Sequence, residues 1–304
     1  MSRSIPRFCT VCKGQVPSGK HDGFCSLACK LKKNGYGINN HTERAKLFTA
    51  IKASTAWRPE QLDPIENIIA TKVGILSDVH CPIHSEEWLR QAVTTFMHFG
   101  INHIIINGDL IDANQISRHA GSYARRGAEF GNDLDAAEHV LNILTECFEH
   151  VYMDAGNHDM RMIHRFGGEM SFQRAMKMIG TFNNLKVSSR SFLHVNNDVL
   201  VCHPRQYSKV RGKLAQDLAL VKHKHVLTGH QHHSAKTISV DGRWQACDSG
   251  CIADTKHQDY VRNEASTYAE PVEGFAAIFG KSIEVFDKFT NFEMLGIPNV
   301  LGKQ

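Results

Sequence analysis

Short apolar runs, separated by longer amphipathic segments, are the feature that most limits how this chain can fold. Each run has the length of one β-strand, and each intervening segment is long enough for a loop or a helix. Alternation of this kind is typical of a layered α/β fold built around a central sheet. The runs are VGIL (73–76), HIII (103–106), VYM (151–153), DVLVC (198–202), HVLT (225–228), FAAIF (275–279) and SIEVF (282–286).

Two of the amphipathic segments are predicted to be helices. Ser85 is placed to cap the first helix, and Gly100 is placed to end it. The second is expected over residues 133–148. The predicted buried faces are Leu89, Val93, Phe96 and Met97 in the first helix and Leu134, Val140, Leu141, Leu144 and Phe148 in the second.

Composition excludes several classes of protein. The chain has 304 residues, of which 42% are hydrophobic and 22% charged, and these proportions rule out a disordered or fibrous chain. No segment approaches the roughly 18 apolar residues of a membrane span, and the N-terminus lacks the apolar core of a signal peptide. We therefore expect a cytoplasmic protein with no membrane contact, and the sequence predicts no oligomeric state.

Charge is unevenly distributed and suggests two parts with different tasks. Residues 1–58 hold 11 Lys and Arg against 2 Asp and Glu, whereas the remainder holds 24 against 29. The basic part is the one that a polyanion would attract. We divide the chain into a cysteine module (1–40), a connecting helix and linker (41–71), a main α/β domain (72–288) and a loosely held C-terminal tail (289–304).

Four of the nine cysteines lie close together in the N-terminal module. Cys9 and Cys12 form one close pair, Cys25 and Cys29 form another, and twelve residues separate the pairs. This spacing allows four thiolates to surround one structural zinc ion, which would supply most of the folding energy of so short a segment. The alternative is four unligated structural or redox-active cysteines. The other cysteines are expected to be small core side chains: Cys81, Cys147, Cys202, Cys247 and Cys251.

The ends of five predicted strands carry Asp, Asn or His residues. If the strands end at one edge of a sheet, these loops form a cluster of carboxylate, amide and imidazole ligands. Such a mixed set suits two borderline divalent ions, with manganese expected first and iron, zinc or cobalt as alternatives. The alternative is that they are capping aspartates and ordinary core or surface histidines. The segments are SDVH (77–80), NGDLID (107–112), DAGNHD (154–159), His203 and GHQH (229–232).

The ordered set DxH, GDxxD, GNHD, H and GHxH resembles the calcineurin-like metallophosphoesterase superfamily over residues 72 to about 285. The segments GILSDVHCPIH, NGDLIDANQISRH and GNHDMRM resemble those of one branch of this superfamily, which is common in bacterial and bacteriophage genomes. This resemblance implies a β-sandwich flanked by helices and a phosphoester hydrolase that uses two metal ions. Separately, FCSLAC (24–29) and the lysines after it resemble a treble-clef zinc finger.

The superfamily resemblance also implies a role for each site residue. Asp109 is the implied bridge between the two ions, because a carboxylate can span two cations about 3.5–4 Å apart. His158 is the implied general acid, and Asp112 accepts a hydrogen bond from its imidazole. The implied ligands are Asp78, His80 and His232 for one ion and Asn157, His203 and His230 for the other.

Basic residues near the predicted site are candidates for contact with substrate. Arg118, His119, Arg125 and Arg126 follow the second motif in a long segment that is either a phosphate clamp or a solvated surface loop. Arg205, beside His203, is a further candidate.

We expect the substrate to be nucleic acid, because a basic zinc module precedes the hydrolase domain. One alternative is a phosphomonoesterase or small-nucleotide phosphodiesterase whose finger binds a partner. Another is a non-catalytic, metal-dependent interaction scaffold.

Overall fold

The computed structural model describes residues 8–16, 24, 29, 33, 66–117, 129–257 and 269–302. The chain divides into two compact units, Met1–Leu62 and Asp63–Gln304. The predicted connecting helix lies outside the described residues.

The second unit contains the strands β1 (Asn67–Ile68), β2 (Lys72–Ser77), β3 (His103–Asn107), β4 (His150–Asp154), β5 (Leu185–Val187), β6 (Phe192–Val195), β7 (Val199–Cys202), β8 (His225–Thr228), β9 (Ser234–Ile238), β10 (Gln245–Ser249), β11 (Gly274–Phe279) and β12 (Ser282–Asp287). All the predicted apolar runs are strands. The strands that sequence patterning missed are two or three residues long, as in β1 and β5, or mix polar with apolar residues.

The described strands form two six-stranded sheets. The first has the order β12-β11-β2-β3-β4-β5, in which β2 to β5 run parallel and β11 and β12 are antiparallel. The second has the order β1-β6-β7-β8-β10-β9, with β7, β8 and β10 parallel. The parallel strands end at one edge of each sheet, and the metal-ligand candidates follow these ends.

Five described helices accompany the sheets: α1 (Glu86–His98), α2 (Phe130–Cys147), α3 (Met160–Arg165), α4 (Phe172–Met176) and α5 (Lys213–Lys222). Ser85 caps α1 as predicted, because its side chain accepts a hydrogen bond from the Trp88 N–H. The predicted burial of Met97 is wrong, since the side chain is 60% exposed. Among the described helices, none combines the length and apolar character that crossing a membrane requires.

Three apolar clusters define the layers. One lies between the sheets and joins Val73, Ile75 and Ile105 of the first to Val201 and Leu227 of the second. Another packs α1 and α2 against the outer face of the first sheet. The third packs α5 against the outer face of the second. The predicted α/β class and the layered β-sandwich flanked by helices are therefore confirmed.

The C-terminal segment is fixed to the domain, so the expectation of a loosely held tail is wrong for residues 289–302. Phe292 and Ile297 are buried. The buried Gln91 side chain of α1 donates to the Pro298 carbonyl at 3.0 Å and accepts from the Val300 N–H at 2.7 Å. Two buried apolar side chains and the hydrogen bonds of the Gln91 amide thus hold this segment, although its sequence shows no periodic pattern.

Candidate metal centre

The loops after β2, β3, β7 and β8, together with the loop after β4, meet at one edge of the two sheets. The backbone there is unusual, because predicted ligands on three of these loops have positive φ angles. Non-glycine residues rarely adopt this left-handed conformation, and it costs free energy that the surrounding structure must offset. The angles are +53° at Asp78, +53° at His80, +51° at Asp109, +73° at His230 and +53° at His232.

Two glycines allow the loops to approach closely. A Cβ added to Gly108 would lie 2.4 Å from Nδ1 of His203. A Cβ added to Gly156 would lie 2.1 Å from both the backbone N and Oδ1 of Asp109. A side chain at Gly108 would push His203 away, and a side chain at Gly156 would push the loop after β4 away from Asp109.

Asp78, His80 and His232 form the first group of donors, and all three are buried. Nε2 of His232 lies 3.2 Å from Oδ1 of Asp78, and Nε2 of His80 lies 3.2 Å from Nε2 of His232. Asp78 also accepts a hydrogen bond from the backbone N–H of His230 at 2.9 Å, which ties the loop after β2 to the loop after β8.

Asp109, His203, His230 and Asn157 form the second group. Nε2 of His203 lies 3.2 Å from Oδ2 of Asp109 and 3.3 Å from Oδ1 of Asn157. His230 supplies a nitrogen within 4.8 Å of the same Asp109 and His203 atoms. Oδ2 of Asp109 is also 3.8 Å from Nε2 of His80, so this one oxygen lies between the two groups.

The donor set fits divalent cations. Nδ1 of His80 is 3.2 Å from a carboxylate oxygen of Asp112, and Nδ1 of His203 is 2.9 Å from the Asn107 carbonyl. A carbonyl can only accept, so Nδ1 of His203 carries the proton there, and the same arrangement at His80 follows from the carboxylate. Nε2 of each ring therefore faces the cluster, as in histidines that bind metals. Convergent imidazole nitrogens and carboxylate oxygens are the ligands that manganese, iron, zinc and cobalt accept.

Electrostatics keep the carboxylates ionised. Burial alone would raise the pKa of Asp78 and of Asp109, but nearby histidines outweigh it and hold both pKa values low. Burial would lower the pKa of His203, but Asp109 and Asp78 raise it to about 10. Burial, and then repulsion by His203, lowers the pKa of His230 to about 4. Asp78 and Asp109 are therefore ionised, and His230 is a neutral imidazole.

His158 lies beside these groups with its ring 4.4 Å from that of His80, centroid to centroid. Its Nδ1 is 2.7 Å from the main-chain carbonyl of Asp112 and 3.5 Å from the Asp112 carboxylate. The carboxylate is nearer to Nδ1 of His80, at 3.2 Å. Burial raises the pKa of Asp112, but hydrogen bonds from His158 and His80 outweigh it and leave the pKa lowered. Asp112 thus contacts two histidines, whereas the sequence analysis connected it with His158 alone.

Two buried aspartates near the site escaped the sequence analysis. Asp159 accepts hydrogen bonds from the N–H groups of Gly156 and Ile111 and so joins the loops after β4 and β3. Asp154 ends β4 and is fully buried, and neither of its carboxylate oxygens has a partner among the described residues. Burial raises the pKa of Asp154 well above its ordinary value. Their only sequence signal is a place in the DAGNHD segment.

The predicted substrate contacts fall in different places. Arg118, His119, Arg125 and Arg126 lie outside the described residues. Arg205 is exposed on the loop that follows His203.

The first unit brings three of the four predicted zinc ligands together. Cys9, Cys12 and Cys29 each offer a sulfur, and these atoms lie within 4.8 Å of one another. The Cys9 N–H donates to the Gly14 carbonyl at 2.7 Å, and the Lys13 N–H donates to the Cys9 carbonyl at 3.0 Å, closing a tight turn around Cys12. The fourth predicted ligand, Cys25, lies outside the described residues. The three thiols could hold a metal ion.

No protein-family model matches the chain, and no curated protein matches it either. The structure is similar to several solved structures. One is YfcE, a phosphoesterase from E. coli, with 13% sequence identity and a TM-score of 0.37 over 71% of this chain and 98% of that chain. Another is vacuolar protein sorting 29 from Cryptosporidium parvum, with 13% identity and a TM-score of 0.38. That match covers 71% of this chain and 96% of that chain. A third is Vps29 from Entamoeba histolytica complexed with zinc, with 11% identity and a TM-score of 0.34. That match covers 71% of this chain and 98% of that chain.

Proposed function

We propose that this protein is a phosphoesterase that works with two divalent metal ions. The observation that carries the proposal is the position of Asp109. One of its carboxylate oxygens lies 3.2 Å from Nε2 of His203 and 3.8 Å from Nε2 of His80, and so it faces both donor groups. A carboxylate between two sets of imidazole ligands is the arrangement that a pair of cations requires.

Each ion has its own set of residues in this proposal. Asp78, His80 and His232 would hold one, Asn157, His203 and His230 would hold the other, and Asp109 would bridge them. When bound, such ions lower the pKa of water and neutralise charge on phosphoryl oxygens. Manganese is the ion expected first, with iron, zinc or cobalt as alternatives.

The chain's own residues serve the leaving group. When the bond from phosphorus to the leaving oxygen breaks, its electron pair stays on that oxygen, which must then take up a proton. His158 suits this task because its side chain is 19% exposed and lies against His80. One of its ring nitrogens lies within 4.8 Å of donor atoms of His80 and Asp109, which places it beside both donor groups. The Asp112 carbonyl at 2.7 Å orients the ring, and the His158 N–H donates to Oδ1 of Asp109, also at 2.7 Å.

A nucleic-acid substrate is the finer proposal, and the charge distribution supports it. The 11 basic and 2 acidic residues of segment 1–58 would attract a polyanion, while the three clustered cysteines would hold a zinc ion that stabilises this segment. Segment 1–58 would then bind the nucleic-acid strand, and the second unit would cut it.

The activity is tested with manganese and four substrates: p-nitrophenyl phosphate, bis-p-nitrophenyl phosphate, a labelled single-stranded oligonucleotide and a labelled double-stranded one. The variant Asp109→Asn should abolish turnover of every substrate that the wild type cleaves. The matched control, Asp217→Asn, changes an exposed aspartate of α5 that pairs with Lys213 and should leave turnover unchanged. Failure of the wild type to cleave any of these esters, or cleavage undiminished by Asp109→Asn, contradicts the proposal.

The nucleic-acid part is tested by a separate variant of the full-length chain. Replacing Lys30, Lys32 and Lys33 with Gln should weaken oligonucleotide cleavage and flatten its dependence on salt, because fewer phosphate contacts release fewer counterions. Turnover of bis-p-nitrophenyl phosphate should not change. Equal oligonucleotide cleavage by the variant and the wild type, with the same salt dependence, would indicate that segment 1–58 binds a partner protein instead.

A further inference from the structure

Arg161 lies three residues after His158 on α3 and contacts the imidazole directly. Its Nη2 is 2.9 Å from Nε2 of His158. Its Nη1 donates to the main-chain carbonyl of Asp112 at 2.8 Å and to the Asn114 side chain at 3.4 Å. The guanidinium therefore spans the His158 ring and the same carbonyl that Nδ1 of the ring contacts.

These contacts determine the state of the His158 ring. A guanidinium has donors only, so Nε2 of His158 must accept the hydrogen bond from Arg161. A carbonyl has no proton to give, so Nδ1 must donate to Asp112 at 2.7 Å. Both ring nitrogens are engaged, with the ring proton on Nδ1.

This arrangement conflicts with the task proposed for His158. With Nδ1 engaged by the Asp112 carbonyl, Nε2 is the nitrogen that must face the leaving oxygen. In the structure, the guanidinium holds that position. Arg161 and the leaving group of a substrate therefore compete for one nitrogen atom.

The phosphate ester itself provides the means to resolve the competition. Guanidinium binds an anionic phosphoryl oxygen more strongly than it binds a neutral imidazole, because the first hydrogen bond joins two charges. An ester held next to His158 would bring such an oxygen within reach of the arginine. The exchange moves the Arg161 side chain while α3 keeps the residue beside the site, and the hydrogen bond to the phosphoryl oxygen replaces the one to Nε2 of His158.

We propose, on the basis of the function proposed above, that Arg161 is a positioning residue that exchanges partners. It holds Nε2 of His158 in the free protein and moves to a phosphoryl oxygen when a phosphate ester binds. Nε2 is then open to take a proton from water and to pass that proton to the leaving oxygen. Arg161 in this way couples the presence of an anionic ester to the orientation of His158.

The exchange is tested first by a measurement that needs no turnover and no variant of Arg161. Nitrogen-15 NMR of histidine-labelled protein loaded with zinc, which is diamagnetic, reports the hydrogen bond at Nε2 of His158, and the signal is assigned with His158→Gln. Adding inorganic phosphate should shift the Nε2 signal and leave the Nδ1 signal in place. An unchanged Nε2 signal at saturating phosphate would overturn the proposal, whether or not the protein hydrolyses esters.

Kinetics of Arg161→Met and Arg161→Lys then separate positioning from a structural role. Loss of one charge-assisted hydrogen bond to the ester corresponds to about a ten- to hundredfold rise in KM. Guanidinium ion added to Arg161→Met should restore part of the lost kcat/KM, and Arg161→Lys should keep more phosphate affinity than Arg161→Met. The matched control is Arg165→Met, which changes an exposed arginine at the end of the same helix and should keep the wild-type KM.

A KM for Arg161→Met within twofold of the wild type, with no effect of added guanidinium, would overturn the exchange. If the wild type turns over no ester at all, the function proposed above fails, and the NMR measurement still decides what Arg161 does. The two failures are therefore distinguishable.

Discussion

Oδ2 of Asp109 lies 3.2 Å from Nε2 of His203, and the two residues come from different sheets. Asp109 follows β3 of the first sheet, and His203 follows β7 of the second. The pair is buried and carries opposite charges in the structure, because Asp109 and Asp78 raise the pKa of His203 to about 10. The site therefore exists only where the edges of both sheets meet.

Metal binding should release a proton from His203. A metal ligand must be a neutral imidazole, whereas a pKa of about 10 keeps His203 protonated at pH 7.5. Calorimetric titration with zinc in two buffers of different ionisation enthalpy should give release of about one proton for the ion bound at Asp109 and His203. His203→Asn should remove that proton from the count. Heats that do not depend on the buffer would contradict the assignment.

Asp154→Asn should stabilise the protein, and more so at high pH. The folded protein holds the Asp154 proton to a higher pH than the unfolded chain does, because burial raises its pKa well above 3.8. The free-energy cost of burying this carboxylate therefore grows as the pH rises above 3.8, the ordinary pKa of the group. Urea unfolding in chelator should show a gain of about 1–3 kcal/mol at pH 8 and a smaller gain near pH 4. A gain that is equal at both values would show that Asp154 is not the titrating group.

Gly156→Ala should disrupt the site. The added methyl would lie 2.1 Å from the backbone N and Oδ1 of Asp109, so the loop must move and carry the bridge away. We expect metal affinity to fall by about tenfold or more, as when supporting contacts of a metal ligand are lost. Gly131→Ala is the control, because a Cβ there meets nothing within 4 Å and should stabilise α2 by about 0.5–1 kcal/mol. Equal metal affinity for both variants would contradict the close packing of the two loops.

Gln91→Met should loosen the C-terminal segment without affecting turnover. The substitution leaves the Pro298 carbonyl and the Val300 N–H without their side-chain partner, which should cost about 1–3 kcal/mol of unfolding free energy. Urea unfolding measures the loss, and limited proteolysis should cut the variant first after residue 289. Wild-type resistance to protease would show that Phe292 and Ile297 hold the segment on their own.

Sequence patterning predicted those strands and helices whose own residues form a recognisable apolar run or periodic pattern. The apolar runs of β2, β3, β4 and β11 lie in strands, and nearly all the residues of these runs are buried. By contrast, β1 pairs only two residues with β6, and so short a strand has no periodicity. The prediction for Met97 was wrong because the buried face of α1 is centred on Trp88 and Ala92. Met97 lies at the edge of that face, where the helix surface turns toward solvent.

The candidate site was also predicted only in part. The residue types after each strand predicted which side chains would gather, and the structure brings His80, Asp109 and His203 together. The sequence did not indicate the positive φ angles that direct these side chains, because non-glycine residues in that conformation have no distinctive pattern. The contact between Arg161 and Nε2 of His158 also depends on the turn before α3, and only the folded chain defines it.

The number of manganese ions bound per chain tests the central claim most directly. Equilibrium dialysis followed by metal analysis should find two manganese ions on the wild type and at most one on Asp109→Asn, because that variant removes the carboxylate that faces both donor groups. Asp217→Asn should bind as the wild type does. One ion or none on the wild type, or two ions retained by Asp109→Asn, would contradict a two-metal centre bridged by Asp109.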